Sequence, residues 1–121
     1  MKMMPQELDF KSPLHGRLKM QSLTVSLAPY HTIAVGRAAW IRPPGIRLGE
    51  EHRRVSRRHC YFRRDDDNLF VLDGDPGNGT WVGGRRCPVF RWVPAPWGEP
   101  IYLGKPDNPA LRLLAQKADG L

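Results

Sequence analysis

Apolar residues in this chain occur in short runs or alternate with polar ones, and Pro or Gly interrupts them before a 3.6-residue period can build. Seven such segments read as strands: Leu23–Leu27, Thr32–Val35, His59–Phe62, Leu69–Leu72, Thr80–Val82, Ile101–Leu103 and Leu111–Leu114. Twelve Pro and twelve Gly, spread from Pro5 to Gly120, leave few windows for a helix of ordinary length, so the expected class is all-β. Asn68–Leu72 is apolar on both alternating faces, which suits a strand in the middle of a sandwich. The charged run Arg63–Asp67 reads as a solvated hairpin loop. Its carboxylates are flanked by two Arg, and no calcium-loop spacing follows.

Composition changes this picture in two ways. At 121 residues the chain fits one domain, and four Trp, four Phe and three Tyr can supply its core. A formal charge of +7 favours an anionic partner, and on charge alone nucleic acid, an acidic lipid surface and a phosphorylated or acidic peptide are all compatible. Cys60 and Cys87 are too few for a disulfide framework and lack zinc spacing, so reduced thiols are expected. The N-terminal residues carry no apolar signal region, and no stretch is long and apolar enough to span a membrane. The expectation is a cytoplasmic protein with no membrane partner and no cofactor.

Three fragments carry the chemistry. Gly36-Arg37 follows a strand, Val55-Ser56-Arg57-Arg58-His59 precedes another, and Asn78-Gly79-Thr80 enters a third. Each is weak alone, but their order and spacing resemble the forkhead-associated (FHA) family. Its pattern runs Gly-Arg, then Ser-x-x-His, then Asn-Gly-Thr and a hairpin. Ile46-Arg47-Leu48, Val71-Leu72-Asp73 and the segment from Trp97 to Gly104 resemble further strands of the family, so the likeness runs from about Leu18 to Leu114. Residues 18–115 are accordingly expected to form an FHA-like domain. Residues 1–17 are then a loosely held lead segment, and residues 116–121 a tail.

The resemblance implies a β-sandwich of two sheets and about eleven short strands, with loops at one end that bind a phosphothreonine peptide. It implies that Arg37, Ser56 and Arg57 hold the phosphate, that Asn78 bonds the peptide backbone, and that His59 braces the Ser loop from inside. Gly36, Gly79 and Thr80 would support the site. Such a set makes physical sense, because phosphothreonine brings a charge near −2 and acceptor oxygens that suit cationic or rigidly held donors. The implied role is a recruiting or scaffolding module in kinase-dependent signalling, without catalytic residues.

Two departures from the family pattern stand out. Val82-Gly83-Gly84 replaces the usual Val-Asn-Gly, and Gly-Gly is expected to serve a two-residue type I′ hairpin equally well. Pro76-Gly77 stands where the family usually carries a polar side chain before Asn-Gly, which removes one possible ligand contact. Arg47, Arg53, Arg54 and Arg58 flank the Ser loop and would favour acidic residues around the phosphothreonine. In the aromatic run Val89–Pro96, Phe90 and Trp92 are expected to face the core, the alternative being a second protein-binding surface.

Three rival functions can be ranked. An enzyme using Ser56 and His59 would need a nucleophile elbow, an orienting carboxylate or a cofactor fingerprint, and none is evident. A basic nucleic-acid binder fits the charge, but the sequence lacks an RNP-like aromatic pattern or a recognition helix. The nearest alternative is an FHA-like interaction module that works without phosphorylation, supported by Pro76-Gly77.

Overall fold

The structure, a computed structural model, describes residues 6–13, 20–27, 31–50, 52–65, 68–74, 77–107 and 111–117. Eleven strands lie among them. The first six are β1 (Gln6–Pro13), β2 (Met20–Leu27), β3 (Thr32–Gly36), β4 (Ile46–Arg47), β5 (Cys60–Asp65) and β6 (Asn68–Asp73). The rest are β7 (Thr80–Val82), β8 (Arg85–Arg86), β9 (Trp92–Pro94), β10 (Pro100–Leu103) and β11 (Leu111–Lys117). All seven expected strands are present, some of them longer than their apolar stretch.

The strands form two sheets, one in the order β2-β1-β11-β10-β7-β8 and the other β4-β3-β5-β6-β9. Neighbours are antiparallel except β3 and β4, which run parallel. The sheets face each other, and the two-residue period of β3, β5, β6 and β10 turns one apolar set inward. Ile33, Val35, Cys60, Phe62, Leu69 and Val71 from the five-stranded sheet share the core with Phe10, Val82, Ile101, Leu103, Leu113 and Ala115 from the other. Phe10 and Phe62 meet across the interface with ring centroids 5.2 Å apart and planes tilted by 55°.

Phe10 lies on β1, in the stretch read from sequence as a loosely held lead. β1 is flanked on both sides, pairing Leu8 with Lys117 of β11 and with Val25 of β2. Its apolar positions are separated by charged ones, so composition alone hid it. Two-residue β4 and β8 are too short to show a period, and β9 carries Pro94. The hydrophobic pattern does not mark these three, although the family resemblance points to a strand at Ile46-Arg47-Leu48 and to a hairpin after Val82.

Three local expectations are corrected. β5 runs on through Arg63-Arg64-Asp65, so the hairpin loop is shorter than the charge run, and the alternation that turns Phe62 inward buries Arg64 as well. Asp66 and Asp67 lie outside the described residues. Phe90 does not face the core. It is 68% exposed with φ at +59°, while Trp92 is half-buried. The amide of Phe90 donates to the Asp73 carbonyl, which ties this turn to the end of β6 and points the ring outward. At the β7–β8 hairpin only Gly83 has positive φ (+58°), the type II′ signature rather than type I′. Among the described residues, no helix is long and apolar enough to cross a membrane.

Candidate functional site

The end of β3, the start of β5, the end of β6 and the start of β7 converge at one end of the sandwich. There the loops 37–45, 48–59 and 74–79 meet. Gly36 sets their spacing. A Cβ at this position would lie 2.0 Å from the Arg57 carbonyl oxygen and 2.8 Å from that of Ser56, so only glycine admits the Ser loop this close. Two main-chain bonds use the approach: Arg37 N–H donates to the Ser56 carbonyl at 3.2 Å, and Ala38 N–H to that of Arg57 at 3.0 Å. Arg37, Ser56 and Arg57, separated by up to twenty residues in sequence, are thereby held together by backbone.

The Arg37 side chain is also fixed. Its Nε donates to the Val55 carbonyl at 2.5 Å and its Nη1 to the Glu50 carboxylate at 2.9 Å. The Arg37 side chain is 19% exposed and that of Glu50 is 65% exposed, so the acid sits on the solvent side of the pair. Ser56 is half-buried and Arg57 exposed on the same loop. An anion arriving from solvent would meet the guanidinium with Glu50 as its competitor.

His59 lies beneath these residues, fully buried. Ser56 N–H donates to its Nδ1 at 3.1 Å, and its Nε2 lies 2.8 Å from the Gly79 carbonyl. A backbone N–H can only donate and a carbonyl can only accept. The ring is therefore the neutral tautomer with its hydrogen on Nε2. Its own main chain donates to the Val35 carbonyl and accepts from Gly74 N–H. One residue thus joins β3, the Ser loop and both ends of the 74–79 loop.

Asn78 closes the ring of loops, its Nδ2 donating to the Arg54 carbonyl at 2.6 Å. An amide has a second N–H and a carbonyl oxygen beyond that bond, which suits an extended peptide. Gly79 takes φ of +80°, and its amide neighbourhood is shared with Trp81 and Arg86, either of which a Cβ would strike. Thr80 Oγ1 donates to Asp73 Oδ1 at 2.9 Å, both residues fully buried, and so ties β7 to β6 across the two sheets. Gly77 is exposed next to Asn78, and Pro76 lies outside the described residues.

The two thiols sit near Asp73. Burial first, and then the Asp73 charge, push Cys87 up to about 11 and hold Cys60 well above the usual thiol range. Both are buried thiols held in the protonated form, unsuited to nucleophilic work. Among the described residues, no group of three His, Cys, Asp or Glu side chains is placed to hold a metal ion.

The geometry brings all eight sequence-nominated residues to one end. It adds Glu50, the Val55 and Arg54 carbonyls and the Asp73–Thr80 tie, which sequence reasoning missed. Backbone acceptors leave no trace in side-chain patterns, and Glu50 belongs to the loop pair Glu50-Glu51, which matches no motif. Only Asp73, at the end of an apolar strand, had a sequence signal.

A family model for the FHA domain matches residues 33–104, more than half of the chain, and the chain belongs to that family. Among curated proteins, none matches the sequence significantly. Solved structures share the fold. The N-terminal FHA domain of Saccharomyces cerevisiae Rad53p, in complex with a phosphothreonine peptide, is similar at 20% identity, TM-score 0.65, over 92% of this chain and 94% of that one. Full-length yeast Pml1p matches at 16% identity and TM-score 0.71, over 93% and 83% of the two chains. The FHA domain of the CT664 protein from Chlamydia trachomatis matches at 17% identity and TM-score 0.65, over 91% and 96%.

Proposed function

We propose that this chain binds phosphothreonine on partner proteins and recruits or scaffolds them in kinase-dependent signalling, without catalysing a reaction itself. The observation that carries the reading is the Gly36–Arg57 close approach, which fixes the backbones of Arg37, Ser56 and Arg57 before any ligand arrives. Donors held in place lose little freedom on binding, so more of each bond appears as affinity. Membership of a family of phosphopeptide-binding modules supports the same reading.

In this account the phosphate displaces the Glu50 carboxylate from Arg37, because a dianion with several acceptor oxygens outbids a single exposed carboxylate for the same guanidinium. Ser56 donates its hydroxyl and exposed Arg57 completes the cradle. Asn78 bonds the peptide main chain with the donor and acceptor not used on Arg54. Arg47, Arg53, Arg54 and Arg58, all exposed near the Ser loop, favour acidic residues around the phosphothreonine. The protein works in the cytoplasm, where its thiols stay reduced and its partners meet kinases.

Titrating a phosphothreonine peptide library and its unphosphorylated twin tests the reading. Phosphorylated members should bind with affinity that weakens as pH falls through about 6, where phosphate takes up its second proton. Equal binding by both libraries would leave a phosphorylation-independent module. A steep salt slope with DNA or RNA and indifference to peptide phosphate would make it a polyanion binder.

A further inference from the structure

A sheet edge is a row of backbone N–H and C=O groups with no neighbouring strand, and folded proteins blunt such rows with short strands, charge or Pro. Among the described strands the two sheets have four edges: β2 and β8 in one, β4 and β9 in the other. Three of them are blunted. β4 and β8 are two residues long, and β8 consists of the exposed Arg85 and Arg86. β9 has three residues and ends in Pro94, which has no N–H to offer.

β2 differs in every one of these respects. It runs for eight residues, Met20–Leu27, with β1 hydrogen-bonded along one side while its other side ends the sheet. The sequence Met20-Gln21-Ser22-Leu23-Thr24-Val25-Ser26-Leu27 contains no charge, no Pro and no Gly. Its register with β1 is unbroken from Gln6 opposite Leu27 to Pro13 opposite Met20, so no bulge twists the edge away. A long uncharged edge, in a chain of net charge +7, is a template for another strand.

We propose that β2 pairs antiparallel with β2 of a second copy of this chain, joining the two six-stranded sheets into one continuous sheet. Charge decides where two copies can meet. Each carries +7, so the shared surface must add no repulsion of its own, and β2 is the edge that meets this condition. Pairing through β8 would instead set Arg against Arg. Symmetry fits as well: two identical antiparallel strands are related by a two-fold axis, so the pairing uses both β2 edges and closes at two copies. The edges left over are the blunted ones, and the assembly does not grow into a fibre. In sheet order β1, β11 and β10 separate β2 from β7, the strand of that sheet that enters the candidate site. The pair therefore carries the loop-end site twice, and it forms whatever those loops bind.

Sedimentation velocity of the full chain from about 1 to about 500 µM should show the mass rising from one chain to two and no further. Higher salt should tighten the pair, because screening relieves the repulsion between two chains of +7. Hydrogen–deuterium exchange at the two ends of the concentration range should slow at the β2 amides and stay unchanged at those of β4, β8 and β9. Ser22→Lys with Thr24→Lys should weaken pairing at least about tenfold by setting like charges across the two strands, whereas Ser22→Gln with Thr24→Gln should stay within about threefold of the parent. Both are polar positions in the alternation of β2, and thermal unfolding at about 1 µM checks that each variant folds as the parent does. If the lysine variant unfolds, the exchange map of the parent chain decides alone. A single-chain mass at every concentration, growth beyond two copies, pairing that salt weakens, slowed exchange at another edge in place of β2, or a folded lysine variant that pairs as well as the parent would overturn the proposal.

Discussion

The loop end of the sandwich that carries the candidate site has a floor and a rim, and the two are built from different bonds. The floor comprises Gly36, His59, Asp73 and Thr80, which are buried and joined by uncharged donors or by one hydroxyl on a carboxylate. The rim comprises Arg37 and Glu50, which pair through charge, and exposed Arg57 beside them. A buried polar bond cannot be exchanged for water without loss, so the floor holds one geometry. An exposed ion pair is worth about 1 kcal/mol or less, so the rim can give up its internal partner to a ligand. In the proposed reading, shape is thus fixed by residues the phosphate does not touch, and affinity by residues whose removal leaves the fold standing.

Substitutions should separate the two regions. The largest effect belongs to Gly36→Ala on the floor. With no room for a Cβ against the Arg57 carbonyl, the Ser loop must move, and we expect a loss of about 4 kcal/mol, read by chemical denaturation, together with lost binding. A variant as stable as the parent would show that the floor yields. Next is Arg37→Ala on the rim, which should weaken phosphopeptide binding by about 30-fold, or about 2 kcal/mol. It should lower the melting temperature only by the few degrees due to the lost Val55 bond. Unfolding of this variant would move Arg37 from rim to floor.

Two smaller effects sharpen the division. Glu50→Gln removes the competitor for Arg37 and should tighten phosphopeptide binding about threefold, with thermal stability unchanged. Weaker binding would mean that Glu50 orients the guanidinium for the ligand instead of competing with it. The last concerns Cys87 beside the floor. Its folded-state pKa is raised from 9.0 to about 11, so the native protein keeps a proton that the unfolded chain has lost. Stability from this group is intact below about 9 and falls as pH rises toward 11. Stability should fall less steeply across that window for Cys87→Ala, and identical slopes would remove the raised Cys87 pKa, set first by burial and then by Asp73, from the account.

The motif residues of the site were more legible in the sequence than the bonds that join them. Arg37, Ser56, Arg57 and Asn78 stand in motifs whose order carries information, and the strands that present them alternate plainly. β1 was hidden because charges separate Leu8 from Phe10, although Phe10 packs on Phe62 at the centre of the core. Phe90 was placed inside because aromatic character was read as burial, whereas the backbone bond from Phe90 to Asp73 and a positive φ turn it out. The tautomer of His59 and the close approach at Gly36 depend on backbone atoms brought together from afar, which side-chain order cannot encode.

The most direct test of the central claim is to follow the ¹H–¹⁵N resonances of the labelled protein while adding a phosphothreonine peptide and, separately, its unphosphorylated twin. The account predicts that the Arg37 side-chain Nε–H and the Ser56 and Asn78 signals shift with the phosphopeptide alone, while the signals of β1 and β2 stay in place. Equal shifts with both peptides, or shifts confined to residues away from Arg37 and Ser56, would contradict it.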